Sequence, residues 1–158
     1  MTQGVQTSGV PAIMDAIVDR LRARDELAGV SVSSGPLAAS REREGIELWN
    51  ADAPETNRTT GRRKTEDVTI QGQAYAARDG SSEQVIRAAR DRVFALVGEI
   101  AKMLRESEYG ARLFSEAGSP TAREAYITNK MLRQGSNPDG VIVVVEFVIS
   151  AKVDLNLF

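Results

Sequence analysis

From Val141 to Leu157 every odd position is apolar: Val141, Val143, Val145, Phe147, Ile149, Ala151, Val153, Leu155 and Leu157. Strict alternation puts these side chains on one face of a strand. The even positions divide. Ile142, Val144 and Val148 surround Glu146, whereas Ser150, Lys152, Asp154 and Asn156 are polar. The first half therefore reads as a strand covered on both faces, the second as one wetted on one side. The charges and the period of two exclude a transmembrane helix. A strand over Gly140–Phe158 would run about 60 Å, so it is expected to exceed its own sheet and either bend or reach a neighbour.

Upstream, Ile13, Ile17 and Leu21 recur at helical spacing behind Ser8, Gly9 and Pro11, which suit a helix start. Val30 and Val32 alternate with serines as a short strand. Gly35–Gly45, with its run Arg41-Glu42-Arg43-Glu44, reads as a solvated turn. Ile46–Asn50 is a second strand, and Trp49, the sole tryptophan, is expected in core or sheet packing. Ala51–Lys64 is polar throughout. Thr65–Ala77 alternates again (Val68, Ile70, Gly72, Ala74, Ala76) and is expected antiparallel to Ile46–Asn50, with 51–64 as an extended hairpin loop.

Ser81 and Gln84 form the outline of a capping box for the longest helix. Its apolar positions, Val85, Ala89, Val93, Leu96, Val97, Ile100, Met103 and Leu104, share one face. Phe94 falls outside that face and is a candidate for a second contact. Tyr109, Leu113 and Phe114 suggest a short helical turn within Ser107–Pro120. Arg123–Arg133 alternates loosely, and Gly135-Ser136-Asn137-Pro138-Asp139-Gly140 is a turn joining it to the last strand. The expected fold is α+β: a mostly antiparallel sheet of 4–5 strands packed by two main helices in the order α-β-β-β-α-β-β. Residues 1–9 form a flexible arm, and 10–158 a single domain.

Composition narrows the chemistry. The chain has 158 residues, 42% of them hydrophobic, enough for one real core. A net charge of −2 does not suggest a general nucleic-acid binder. With no cysteine there is neither a disulfide framework nor a thiolate metal site, and with no histidine the commonest general base is missing. Met1–Gly9 is polar and lacks the apolar core of a signal peptide, so a soluble protein made in the cytoplasm is expected. The end of the 51–64 loop, GRRKT, lacks the upstream glycine of a phosphate-binding loop. Glu146 or Asp139 could bind a hard cation, and Ser or Lys could serve as nucleophile or base, but no spacing supports either. No enzyme, cofactor or membrane association is expected.

The layout resembles a known family. A first helix runs into Leu21–Val30 (LRARDELAGV) and a short strand. A charged hairpin tip, a capped long helix, two strands joined by a turn and the basic–apolar alternation of Val148–Leu155 follow. This is similar to the tail terminator proteins of long-tailed bacteriophages over roughly Val10–Val153. The resemblance implies a subunit of a ring, six copies, on the head-proximal end of the tail tube. Such a ring ends tube polymerisation, meets the head–tail connector and lets DNA through its lumen without specific binding. The family has no motif-defined interface positions, so none is transferred. Another neck or minor tail component acting as a binding module is the alternative.

The residues themselves nominate the contacts. The long final strand, through Leu155, Leu157 and Phe158, and Phe94 on the helix are the expected ring interface. Glu146 is expected to find a cationic or backbone partner, because an unpaired buried carboxylate would cost several kcal/mol. Arg58, Arg62, Arg63 and Lys64 make the hairpin tip basic amid Asp52, Glu55, Glu66 and Asp67, a mixed-sign tip better suited to clasping an acidic tube or neighbour than to lining the lumen near DNA, with a solvated tip as the plain alternative.

Overall fold

The computed structural model describes residues 8–35, 43–57, 63–108 and 121–156. Helix α1 (Val10–Arg22) and a 3₁₀ turn (Asp25–Leu27) lead to β1 (Ser31–Ser33) and β2 (Glu44–Asp52). Strands β3 (Glu55–Asn57) and β4 (Arg63–Asp79) precede helix α2 (Glu83–Glu108), and β5 (Thr121–Asn137) and β6 (Gly140–Asn156) close the order. The sheet runs β1-β2-β4-β6-β5, with β3 added beside β4. Among the described residues only β1 and β2 pair in parallel; the other neighbours are antiparallel. The expected α+β order is the one the chain adopts, with β3 inserted. The hairpin of 46–50 with 65–77 is present, and the described part of its loop is largely strand: β3 pairs Glu55–Asn57 with Lys64–Glu66.

One face of the sheet carries the core. On β6 the odd residues Val141 to Val153 are buried, and across the ladder Val143 to Ala151 face Ala76, Ala74, Gly72, Ile70 and Val68 of β4. Ile46 and Leu48 of β2 extend this face, and the buried stripes of both helices cover it in one cluster. Phe147, among the largest fully buried side chains, requires a gap opposite. Gly72 supplies it: a Cβ there would lie 2.7 Å from Phe147 Cζ and 2.6 Å from the Glu47 carbonyl oxygen.

The other face is open, which corrects the expectation that the first half of β6 is covered twice. Ile142 is 47% exposed, and Val144, Glu146 and Val148 are half-buried. Nor does β6 outrun its sheet. β4 pairs with it along its whole length, from Arg63 opposite Asn156 to Asp79 opposite Gly140, and β5 takes its other edge. Strand length alone does not reveal a partner strand of equal length.

Polar contacts fix the helices. Ser82, not Ser81, caps α2: its Oγ accepts the Val85 N–H at 3.3 Å. The most deeply buried acid among the described residues is Glu66, 1% exposed, on the helix-covered face of β4. It accepts the Gly9 N–H at 2.6 Å and the Ser8 hydroxyl at 2.9 Å, placing a carboxylate at the positive end of α1. Arg22 at the other end of α1 donates twice to the Val32 carbonyl, tying it to β1.

Two further carboxylates join layers. Glu44 of β2 accepts from Arg78 of β4 and, at 2.9 Å, from Arg92 of α2. Glu99 of α2 meets Arg24, which follows α1, at 2.9 Å, and Lys102 at 3.3 Å. Burial alone would push both carboxyls up, yet the hydrogen bonds from these cations outweigh it and hold both below the usual value. A depressed folded pKa adds stability that is complete above the unfolded value near 4.5 and is lost as pH falls through the lower folded value. The urea midpoint is therefore expected to fall below pH 4.5. The double variant Glu44→Gln, Glu99→Gln should be less stable at pH 7 and lose less on acidification. An unchanged acid slope in that variant would assign the pH dependence to other groups.

Candidate interaction surface

The off-core side of α2 is a stripe of Phe94, Gly98, Ala101 and Arg105, at i, i+4, i+7 and i+11. Phe94 is 41% exposed, as its position off the apolar arc predicts. Beside this stripe runs the start of β5. Together they form a groove of about 280 Å³, walled on the strand side by Ala125, Tyr126, Ile127 and Lys130. Gly98 makes its floor: a Cβ there would meet nothing within 4 Å. Glycine in a helix interior costs roughly 1 kcal/mol against alanine, and no neighbour among the described residues requires it.

β5 owes its character to two irregularities. Its register against β6 shifts between Arg123 and Tyr126, where Glu124 adopts φ 54°, and again between Ile127 and Asn129. An extra residue reverses which side chains face which way. The loose apolar alternation of 125, 127 and 131 therefore breaks. Ala125 is buried and Ile127 packs on the core, but Met131 stands opposite Glu146 on the open face. Lys130 and Leu132 take the helix-side positions opposite Phe147 and Val145, yet both are exposed. From Thr128 to Asp139 every residue is exposed, and β5 ends the sheet. A long edge strand with apolar side chains on both faces is a template for association.

The nominated residues separate into three places. Phe94 lies at the groove. Glu146 lies on the open face, half-buried rather than sunk among valines, and its Oε2 is 3.4 Å from Arg133 of β5. The pair spans a diagonal of the β5–β6 ladder, since Met131 is the residue directly opposite. The backbone register sets Lys64 opposite Leu155 and Arg63 opposite Asn156, bringing the hairpin to the end of β6. Arg58, Arg62, Leu157 and Phe158 lie outside the described residues, as do the turn proposed at Tyr109–Phe114 and most of the 1–9 arm. Trp49 is not core: at the β2 bulge it is 40% exposed, its indole N–H donating to Glu47 Oε2 at 3.1 Å. Glu47 also accepts from Gln73 at 3.0 Å.

Sequence reasoning missed Gly98, Arg105 and Lys130. A lone glycine inside an otherwise strong helix was the available signal. Neither Arg105 nor Lys130 has an ion-pair partner among the described residues. Among the described residues no group of three or more acidic side chains gathers as a metal site. No helix of the described residues is long and apolar enough to cross a membrane.

No known family profile and no curated protein sequence matches the chain. Among solved structures the fold is similar to a chain from the virion of a native gene transfer agent particle. The TM-score is 0.62 at 17% identity, covering 94% of this chain and 98% of that one.

Proposed function

We propose that the protein is a structural virion component, and within that class a tail terminator. Six copies would form a ring at the head-proximal end of a tail tube, ending its growth and offering a surface to the head–tail connector. DNA would pass through the lumen without specific binding. The observation that carries this reading is the shared fold over nearly the full length of both chains with a component of a gene transfer agent virion. The two-sided exposure of edge strand β5 and the groove beside Phe94 support an assembling subunit rather than a solitary one. The same reading makes the protein structural rather than enzymatic, located in the assembled tail and built in the host cytoplasm.

The hairpin tip between β3 and β4 is proposed as a clasp on an acidic tube or neighbour, through Arg58, Arg62, Arg63 and Lys64. One experiment addresses both proposals: deletion of the coding sequence from the particle-producing genome, with tail length measured by electron microscopy. Terminator function predicts overlong tubes and tailless heads, and the clasp predicts the same from Arg62→Glu with Arg63→Glu. Tails of normal length left unattached to heads would point instead to another neck or minor tail component. Normal joined particles would refute both proposals.

A further inference from the structure

The groove and the far side of the protomer are complementary. On α1, the residues Ala12, Asp15, Ala16, Asp19 and Ala23 recur at i, i+3, i+4, i+7 and i+11, and Asp15, Asp19 and Ala23 are exposed. Neither aspartate has a side-chain partner among the described residues. This ridge is small and carries these two carboxylates; Arg22, on the same side at its end, is turned to the Val32 carbonyl. The α2 stripe from Phe94 to Arg105 has a small floor, Gly98 and Ala101, and Arg105 and Lys130 on its rim. Both stripes span about three helical turns, roughly 16 Å. Small residues on both sides allow two helices to approach closely, and opposite charges fix their register.

The two surfaces cannot meet within one protomer. α1 packs between β1 and the side of α2 that carries Glu99 and Glu106, whereas the groove opens on the other side of α2, against β5. We infer that the α2–β5 groove receives the α1 ridge of a second copy of this chain, with Asp15 and Asp19 facing the neighbour's Arg105 and Lys130. This rests on the ring reading and supplies its contact. A contact between two different surfaces is head-to-tail, and repeated about an axis it closes into a ring.

The test uses the full chain and measures assembly by sedimentation and native mass spectrometry, alone and with the tail tube protein. Arg105→Glu with Lys130→Glu, and separately Asp15→Lys with Asp19→Lys, should each weaken assembly by tenfold or more. Joining all four changes should restore it to within a few-fold of wild type. Gly98→Leu fills the groove from a half-buried position where a Cβ meets nothing within 4 Å, and should abolish assembly while helix content, by circular dichroism, is kept. If wild type assembles and these variants do too, or the fourfold variant is not rescued, the interface lies elsewhere and the ring reading stands. If wild type assembles neither alone nor on tubes, the ring reading falls and takes this contact with it.

Discussion

Replacing Phe94 with aspartate is expected to leave a folded protomer that no longer assembles. The ring lies beside the groove rather than in the core, 41% exposed, so its loss opens no cavity. Aspartate at one exposed helix position costs about 0.7 kcal/mol or less. At an interface the balance is different. Aromatic anchors commonly contribute about 2–4 kcal/mol each, and a buried charge in place of one adds a desolvation penalty. Each subunit contact should therefore weaken by roughly 30- to 1000-fold. Because the proposed ring would repeat the contact around its axis, the whole assembly should disappear from sedimentation profiles while the melting temperature barely moves. Wild-type assembly by the variant would remove Phe94 from the interface.

The largest effect on the protomer itself is expected from Gly72→Ala. The new methyl would sit 2.7 Å from Phe147 Cζ and 2.6 Å from a backbone carbonyl oxygen. The ring can tilt only by displacing its packed neighbours on the buried face, and the carbonyl belongs to β2. Overpacking of this kind costs about 1–3 kcal/mol, equivalent to a melting temperature lower by roughly 3–10 °C in a chain of this size. Phe147→Leu removes half of the conflict. The double variant Gly72→Ala, Phe147→Leu should be more stable than the sum of the two single losses predicts. Additive losses would show that the ring and the glycine are not coupled, leaving the carbonyl contact as the sole cause.

Periodicity carried most of the architecture. Each strand's alternation depends only on which side chains are apolar, so β2, β4 and β6 were legible, as was the core face of α2. What periodicity cannot encode is the identity of the partner. The length of β6 suggested an overhang, whereas β4 extends equally far because its first residues, although polar, continue the ladder opposite Leu155 and Asn156. The buried acid was sought at Glu146, among valines, but a strand's second face is buried only if something covers it. Glu66 has polar neighbours in sequence and becomes buried because the start of α1 lands on it. The bulges in β5 are invisible for a related reason. Glu124 at φ 54° sits in the gap of the ladder between Arg123 and Tyr126, and nothing in its chemistry announces that conformation. Of the candidate surface, Phe94 was readable from helical geometry alone. The groove around it was not, because its second wall comes from a strand more than twenty residues later in the chain.

The order of strands in the sheet has a consequence in time. β6 lies between β4 and β5, yet it follows both in the sequence. As a nascent chain leaves the ribosome, β4 and then β5 emerge with no mate for the edges that β6 will fill. The ladder that joins Arg63 to Asn156 closes across most of the molecule, a non-local pairing of the kind that slows folding. Until then the apolar faces of β4 and α2 are exposed to every other unfinished chain nearby. Copies translated from one message emerge side by side in this state, where crowding favours mispairing. Slower passage through this stage gives chaperones their window, and it makes β6 the strand on which the whole core waits.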